Sequence, residues 1–213
     1  LCFVLGAPVL SQTRSAEPAA TITRANRTLN NIDHLIDLAV ARNKEKPSIV
    51  APVVGEVPWI SMFDGKTMDG WKKTDFAGGG PVSVDASFAG GAAIVVKPGD
   101  YLSGFNWTKP APKTNYELTL DFMKIEGNDF ACGLTFPVGD SHASLILGGW
   151  GGGVVGISSI EGLDASENQT TKYMSFPKGK WFKVIMRVTP EKLEAWLNDK
   201  KIVDQDIHDK RIS

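Results

Sequence analysis

The sequence predicts an all-β domain, a two-sheet antiparallel sandwich that spans about residues 59–213. Residues 116–122 and 181–188 each alternate apolar with polar side chains, which is the period of a strand with one buried face. Residues 193–203 contain two further short strands around Asn198-Asp199, which is the pattern of a hairpin. Short strands at this spacing, separated by glycine-containing turns, are typical of a β-sandwich.

The first 58 residues lack the strand pattern of the rest of the chain and are expected to lie outside the sandwich. We interpret residues 1–17 as a signal-peptide remnant, because an apolar run of about ten residues, too short for a bilayer, precedes a polar segment. The alternative for this run is a buried strand, and we favour export to the periplasm or the extracellular space. Residues 18–58 are expected to form an amphipathic helix over 21–43, followed by an extended linker rich in valine and proline.

Within the domain, the aromatic stretch 59–76 is expected to be the entry strand, with its reversals at Asp64-Gly65 and Asp69-Gly70. Further strands are expected over residues 82–85, 92–96, 116–122, 130–136, 144–147, 154–157, 181–188, 193–197 and 202–203. The alternation predicts an inward-facing set, which is Tyr116, Leu118, Leu120, Phe122, Phe182, Val184, Met186 and Val188.

Composition excludes several classes of function. The 213 residues carry a net charge of −1, which gives no electrostatic reason to expect nucleic acid or an anionic membrane as a partner. The two cysteines, Cys2 and Cys132, predict no internal disulfide, and Cys132 is expected to be a buried small hydrophobe. Phosphate-loop, zinc-protease and serine-hydrolase motifs are absent, and no histidine has a second ligand at metal spacing, so neither cofactor nor metal is expected.

The outward face of the predicted sheet is the candidate binding surface. Its residues are Glu117, Thr119, Asp121, Lys183, Arg187 and Trp196. An indole ring can stack on the apolar C–H face of a sugar, while charged and hydroxyl side chains hydrogen-bond the sugar hydroxyls. This combination points to a saccharide ligand, and the alternative is a sheet face that is merely solvated.

A second group of candidate residues falls in predicted loops, where the binding groups of a sandwich often lie. His142 is a candidate general base oriented by Asp140, because imidazole titrates near neutral pH, although turn formation by Asp140 is an alternative. Glu167 lies in a later loop and is a candidate for sugar binding. Trp150, within the glycine-rich run 148–153, is a second candidate stacking platform.

The start of the domain reads Trp59-Ile60-Ser61-Met62-Phe63-Asp64-Gly65-Lys66-Thr67-Met68-Asp69-Gly70-Trp71. This stretch resembles the opening of the 3-keto-disaccharide hydrolase domain family, W-x-x-L-F-D-G-K-T-L-D-G-W, with methionine in place of two leucines. The resemblance covers about residues 59–213 and implies a concanavalin A-like (laminin-G-like) jelly-roll sandwich. It also implies further strands after residue 213, so we expect the domain to be truncated at its C-terminus.

The resemblance implies an activity on glycosides that have already been oxidised to the 3-keto form. The ketone at C3 acidifies the proton on C2, so that a base can remove this proton and the substituent on C1 is eliminated; water then adds back. By position, Asp121 matches an acidic residue of the family and is expected to be the base, with His142 as its rival.

Several residues depart from the family pattern. Met123 stands where the family has arginine, residues 131–134 replace its N-S-G-I, and residues 144–147 lack its acidic strand. The alternative is therefore a carbohydrate-binding or laminin-G-like module without chemistry. A glycosidase similar to family 16 is disfavoured, because the strand of paired carboxylates that its mechanism uses is absent.

Overall fold

The computed structural model describes residues 2–6 and 59–213, which form an antiparallel β-sandwich. The strands are β1 (Cys2–Gly6), β2 (Trp71–Lys73), β3 (Val82–Asp85), β4 (Ala93–Val96), β5 (Phe105–Trp107), β6 (Tyr116–Glu126), β7 (Cys132–Val138), β8 (Ser141–Gly149), β9 (Val154–Ser158), β10 (Lys172–Tyr173), β11 (Trp181–Val188), β12 (Lys192–Leu197) and β13 (Lys200–Asp206). The predicted all-β sandwich is confirmed. The helix expected over 21–43, the linker, and residues 1 and 7–17 of the expected signal peptide lie outside the described residues.

Two sheets form the sandwich. The seven-stranded sheet has the order β13-β12-β11-β6-β1-β4-β3, and the four-stranded sheet has the order β10-β9-β8-β7. A separate two-stranded ribbon pairs β2 with β5. Inward-facing side chains of β6 and β11 meet those of β7, β8 and β9 in one apolar core. Alternation along each strand therefore decides which residues reach the outer surfaces.

The core confirms the predicted register. Seven of the eight expected inward residues are buried, while Leu118 is half-buried and packs against the margin of the core. Phe122 is fully buried and stacks on Phe182, with ring centroids 5.4 Å apart. Cys132 is buried as expected, and burial raises the pKa of its thiol to about 12, which keeps this thiol protonated and unreactive near neutral pH.

The aromatic opening of the domain is mostly turn, so the prediction of an entry strand there is wrong except at β2. Asp64 Oδ1 accepts hydrogen bonds from the backbone N–H groups of Lys66 and Thr67 at 2.8 and 2.7 Å. These bonds, to which the Thr67 hydroxyl adds another, lower the pKa of the Asp64 carboxyl to about 2. The Trp71 indole donates to the carbonyl of Met62 at 2.5 Å. Backbone groups satisfied locally in this way are not available for a sheet ladder.

The first described residues contribute a strand to the centre of the seven-stranded sheet. β1 pairs with β4 through registers such as Val4 with Val95, and with β6 through registers such as Leu5 with Phe122. This pairing supports the strand alternative for residues 2–6. It does not test export, which stays a prediction.

Candidate functional site

The outer face of the seven-stranded sheet carries six of the ten candidate site residues. Leu120 and Phe122 face the core, so that Thr119 and Asp121 on the same strand face outward. The register of β6 with β11 pairs Glu117 with Arg187, Thr119 with Ile185, and Asp121 with Lys183. Trp196 on β12 pairs with Ile185 from the other side. The six residues thus form one continuous surface, named here the Asp121 face.

Arg187 lies at the centre of an ion-pair network on the Asp121 face. Its Nε donates to Glu117 Oε1 at 2.5 Å, and its Nη1 donates to Glu194 Oε2 at 3.4 Å. Lys201 Nζ donates to the other oxygen of Glu194 at 2.6 Å. The side chains of Arg187, Glu117 and Glu194 are only 12–16% exposed. The network thus satisfies its own charges and hydrogen bonds without a ligand.

Trp196 is enclosed by the same network. The Arg187 guanidinium carbon lies 5.2 Å from the ring centroid and Lys201 Nζ lies 5.1 Å from it, both within range for a cation–π contact. The residue is only 9% exposed. Its ring consequently offers a ligand little open surface for stacking.

Asp121 and Lys183 lie beside this network and have different surroundings. The carboxyl of Asp121 is half-buried, and this desolvation raises its pKa, while the positive charge of Lys183 opposes the rise. The neighbouring carboxylate of Glu117 is bound to Arg187 and is not a cause of this rise. The hydroxyl of Thr119 donates to the carbonyl of Val184 at 2.9 Å. The hydroxyl proton of Thr119 is therefore already used in a hydrogen bond within the sheet.

The other four candidates lie on the opposite side of the sandwich or in its loops. Asp140 is exposed and pairs with Lys113 at 2.7 Å, and this hydrogen bond and charge lower the pKa of the carboxyl. His142 is exposed on β8, and no hydrogen bond joins it to Asp140 in the described part of the chain. Trp150 is exposed at the turn between β8 and β9, and Glu167 is exposed in the loop that follows β9.

Asp121 and His142 cannot serve one compact site. His142 precedes the buried Ala143 on the four-stranded sheet, so it faces away from the core, as Asp121 does on the other sheet. Packed sheets lie about 10 Å apart, and side chains on their outer surfaces point in opposite directions. The two candidate bases are therefore alternatives that belong to different surfaces.

Sequence reasoning missed Lys201 as a member of the network. The register of β12 with β13 shifts between Ala195 and Trp196, and this shift brings Lys201 opposite Trp196. A bulge adds one residue to a strand and reverses the expected parity beyond it, which alternation alone does not reveal. Glu194, by contrast, has the outward parity that the strand pattern predicts.

Within residues 2–6 and 59–213, no group of three or more His, Cys, Asp or Glu side chains is arranged to hold a metal ion. The same residues contain no helix that is long and apolar enough to cross a membrane.

Comparison with known proteins gave one match. A family model described as a 3-keto-alpha-glucoside-1,2-lyase-like domain matches residues 58–213. The searches among curated proteins and among solved structures found no match.

Proposed function

The chain belongs to the 3-keto-alpha-glucoside-1,2-lyase-like domain family, and from this membership we propose that it cleaves 3-keto-glycosides by elimination. Membership supports a carbohydrate-related function. The observation that carries the finer proposal is the half-buried carboxyl of Asp121, whose pKa is raised by desolvation. In the register of β6 with β11, this residue lies opposite Lys183. A carboxylate with a raised pKa is a stronger base than an ordinary aspartate, which suits the removal of a proton next to a ketone.

In the proposed reaction, Asp121 accepts the proton from C2 and the electron pair passes into the C3 ketone to give an enolate. The ammonium of Lys183 stabilises the developing charge on the enolate oxygen. Collapse of the enolate re-forms the ketone and gives a C1–C2 double bond as the C1–O bond breaks. The proton held by Asp121 passes to the departing oxygen, so that the C1 substituent leaves as an alcohol. Addition of water across this bond then yields the free 3-keto-sugar. Glu117, Thr119 and the loop residues Asp140 and Glu167 are not required for these steps.

Lys183 suits the ketone oxygen better than Arg187, which lies on the same Asp121 face. Arg187 already donates to two carboxylates, so that its charge is largely neutralised where it lies. Lys183 makes no ion pair within 4 Å with any described residue. Its ammonium can therefore turn toward a ligand without the loss of an existing ion pair.

The direct test offers the purified chain 3-keto-trehalose and, in parallel, trehalose. We expect glucose release from 3-keto-trehalose alone, because only the ketone makes the C2 proton acidic. In D₂O, elimination followed by hydration should leave deuterium at C2 of the 3-keto-sugar, above the exchange in a protein-free control. Equal cleavage of trehalose, or cleavage of the keto-sugar without deuterium at C2, would contradict elimination.

A second candidate function is the binding of saccharides without chemistry. The departures from the family pattern at Met123, residues 131–134 and residues 144–147 favour it, because a domain that lacks these family residues can keep the fold without the chemistry. Binding of the keto-sugar in the absence of any turnover would establish this alternative.

We also propose that the protein is exported, on the basis of the apolar run over residues 1–10 and the polar segment after it. Cell fractionation of the native host is expected to recover the protein in the periplasm or the medium. Recovery in the cytoplasm alone would rule export out and leave the strand interpretation of residues 2–6.

A further inference from the structure

Two exposed aromatic side chains lie on the four-stranded sheet, on the side of the sandwich opposite the Asp121 face. Trp150 is 46% exposed and Tyr173 is 77% exposed. Gly149, which precedes Trp150, pairs with Val154 on β9, and Val154 pairs with Tyr173 on β10. Two strand spacings, about 10 Å, separate β8, which ends just before Trp150, from β10, which carries Tyr173.

The backbone holds Trp150 at the surface in an unusual conformation. Trp150 has φ +47° and Phe130 has φ +31°, values that bulky side chains rarely adopt. The two rings pack together with centroids 5.7 Å apart. Asp129 Oδ1 accepts from the N–H groups of Phe130 and Gly151 at 2.9 and 3.1 Å, which joins the two chain segments. The exposed indole is thus positioned by a specific set of contacts and does not collapse onto the core.

The surface around these rings provides an apolar floor and polar groups at its margin. Ile146 and Val154 are buried beneath it and contact Phe130. A side chain at Gly151 would meet nothing within 4 Å, so the space beside Trp150 is open. Asp129 Oδ2 accepts no hydrogen bond from any residue that the structure describes, and it can accept one from a ligand hydroxyl.

We propose that this aromatic surface, formed by Phe130, Trp150 and Tyr173 with Asp129 at its edge, binds an extended β-linked glucan chain. Trp150 and Tyr173 stack on the apolar faces of sugar rings along the chain, with Phe130 supporting the indole, and Asp129 accepts a hydroxyl. An extended ligand fits because the two exposed rings are spaced across a sheet and do not line a closed pocket. The surface would anchor the protein to a polymer independently of any chemistry at Asp121.

The test is calorimetric titration of the whole chain with cellohexaose. Trp150→Ala and Tyr173→Ala are each expected to weaken binding about tenfold, or ~1.4 kcal/mol, and their combination is expected to abolish it. Trp150→Phe retains an aromatic ring and should bind within about threefold of the parent, which separates loss of stacking from misfolding. Tyr101→Ala is the matched control, because Tyr101 is 80% exposed on a different loop.

The proposal is overturned if the parent does not bind cellohexaose, if either alanine variant binds it like the parent, or if Tyr101→Ala weakens binding equally. Maltohexaose, whose chain is curved, should bind about tenfold more weakly, and equal affinity would overturn the preference for an extended chain. Asp121→Asn should leave cellohexaose binding unchanged. Failure of this surface is therefore distinguishable from failure of the elimination chemistry.

Discussion

Asp121→Asn is expected to lower the rate of glucose release from 3-keto-trehalose by about 10²–10⁴-fold, because general-base catalysis contributes an effect of this size. Asparagine has nearly the shape of aspartate, and the Asp121 side chain is half-buried on the sheet surface. Equilibrium binding of the keto-sugar should therefore be retained. Lost turnover with retained binding is the result that identifies Asp121 as the base.

Two variants complete this experiment. Glu126→Gln removes a carboxylate that is exposed at the end of the same strand, and it should turn over the keto-sugar like the parent. His142→Ala tests the rival base on the opposite sheet. Turnover that survives in Asp121→Asn but is lost in His142→Ala would transfer the chemistry to the four-stranded sheet.

The pH dependence provides an independent check on the same residue. Only the ionised carboxylate accepts a proton, so turnover should rise with pH through the raised pKa of Asp121. The sign for folding is opposite: a raised pKa favours the protonated form in the folded state. The protonated carboxyl of Asp121 therefore makes its whole contribution to stability at pH values below the pKa that it has in the unfolded chain. This contribution is lost as the pH rises through the higher pKa that it has in the folded protein. Both dependences should be absent from Asp121→Asn.

Arg187→Ala is expected to lower the free energy of unfolding by about 2–3 kcal/mol, measured by urea denaturation. The substitution leaves the mostly buried carboxylate of Glu117 without its 2.5 Å ion pair. Glu194 keeps Lys201, so the loss falls mainly on Glu117. Removal of the guanidinium also opens space beside Trp196, which should shift the tryptophan fluorescence spectrum.

Lys109→Ala is the matched control for this substitution. Lys109 pairs with Asp69 at 2.6 Å, but the two side chains are 48% and 74% exposed. An exposed pair of this kind contributes about 0–1 kcal/mol. If the two variants lose equal stability, the Arg187 network contributes no more to folding than an exposed ion pair does. Its contacts with Trp196 would then add no measurable stability.

The sequence predicted the registers of β6 and β11 because a strand with one buried face has a period of two, and a shift of one residue would bury Glu117 and Asp121. Their outward direction could therefore be derived from alternation. The enclosure of Trp196 could not, because it depends on the shifted register that brings Lys201 across from it. Parity shows which way a side chain faces, but it does not show what covers that side chain.

The separation of Asp121 from His142 was also beyond the sequence. Each residue lies on a strand with a recognisable pattern, yet the pattern does not state which sheet the strand joins. That assignment comes from pairing between distant strands, such as β6 with β11 and β7 with β8. The aromatic opening was misassigned for a local reason, since the side chain of Asp64 satisfies backbone donors that a strand would pair with its neighbour.

The central strand β1 has a consequence for the order in which the sheet assembles. Its residue Cys2 pairs with Glu126, more than a hundred positions later in the chain, whereas β11, β12 and β13 follow one another as short hairpins. Closing a long loop costs more chain entropy than closing a short one, and contacts between distant positions slow folding. The part of the sheet formed by β11, β12 and β13 can therefore assemble before β1 inserts between β4 and β6, which is the junction of the sheet. Until that junction closes, the facing edges of β4 and β6 each present unpaired backbone groups, the kind of edge through which chains aggregate.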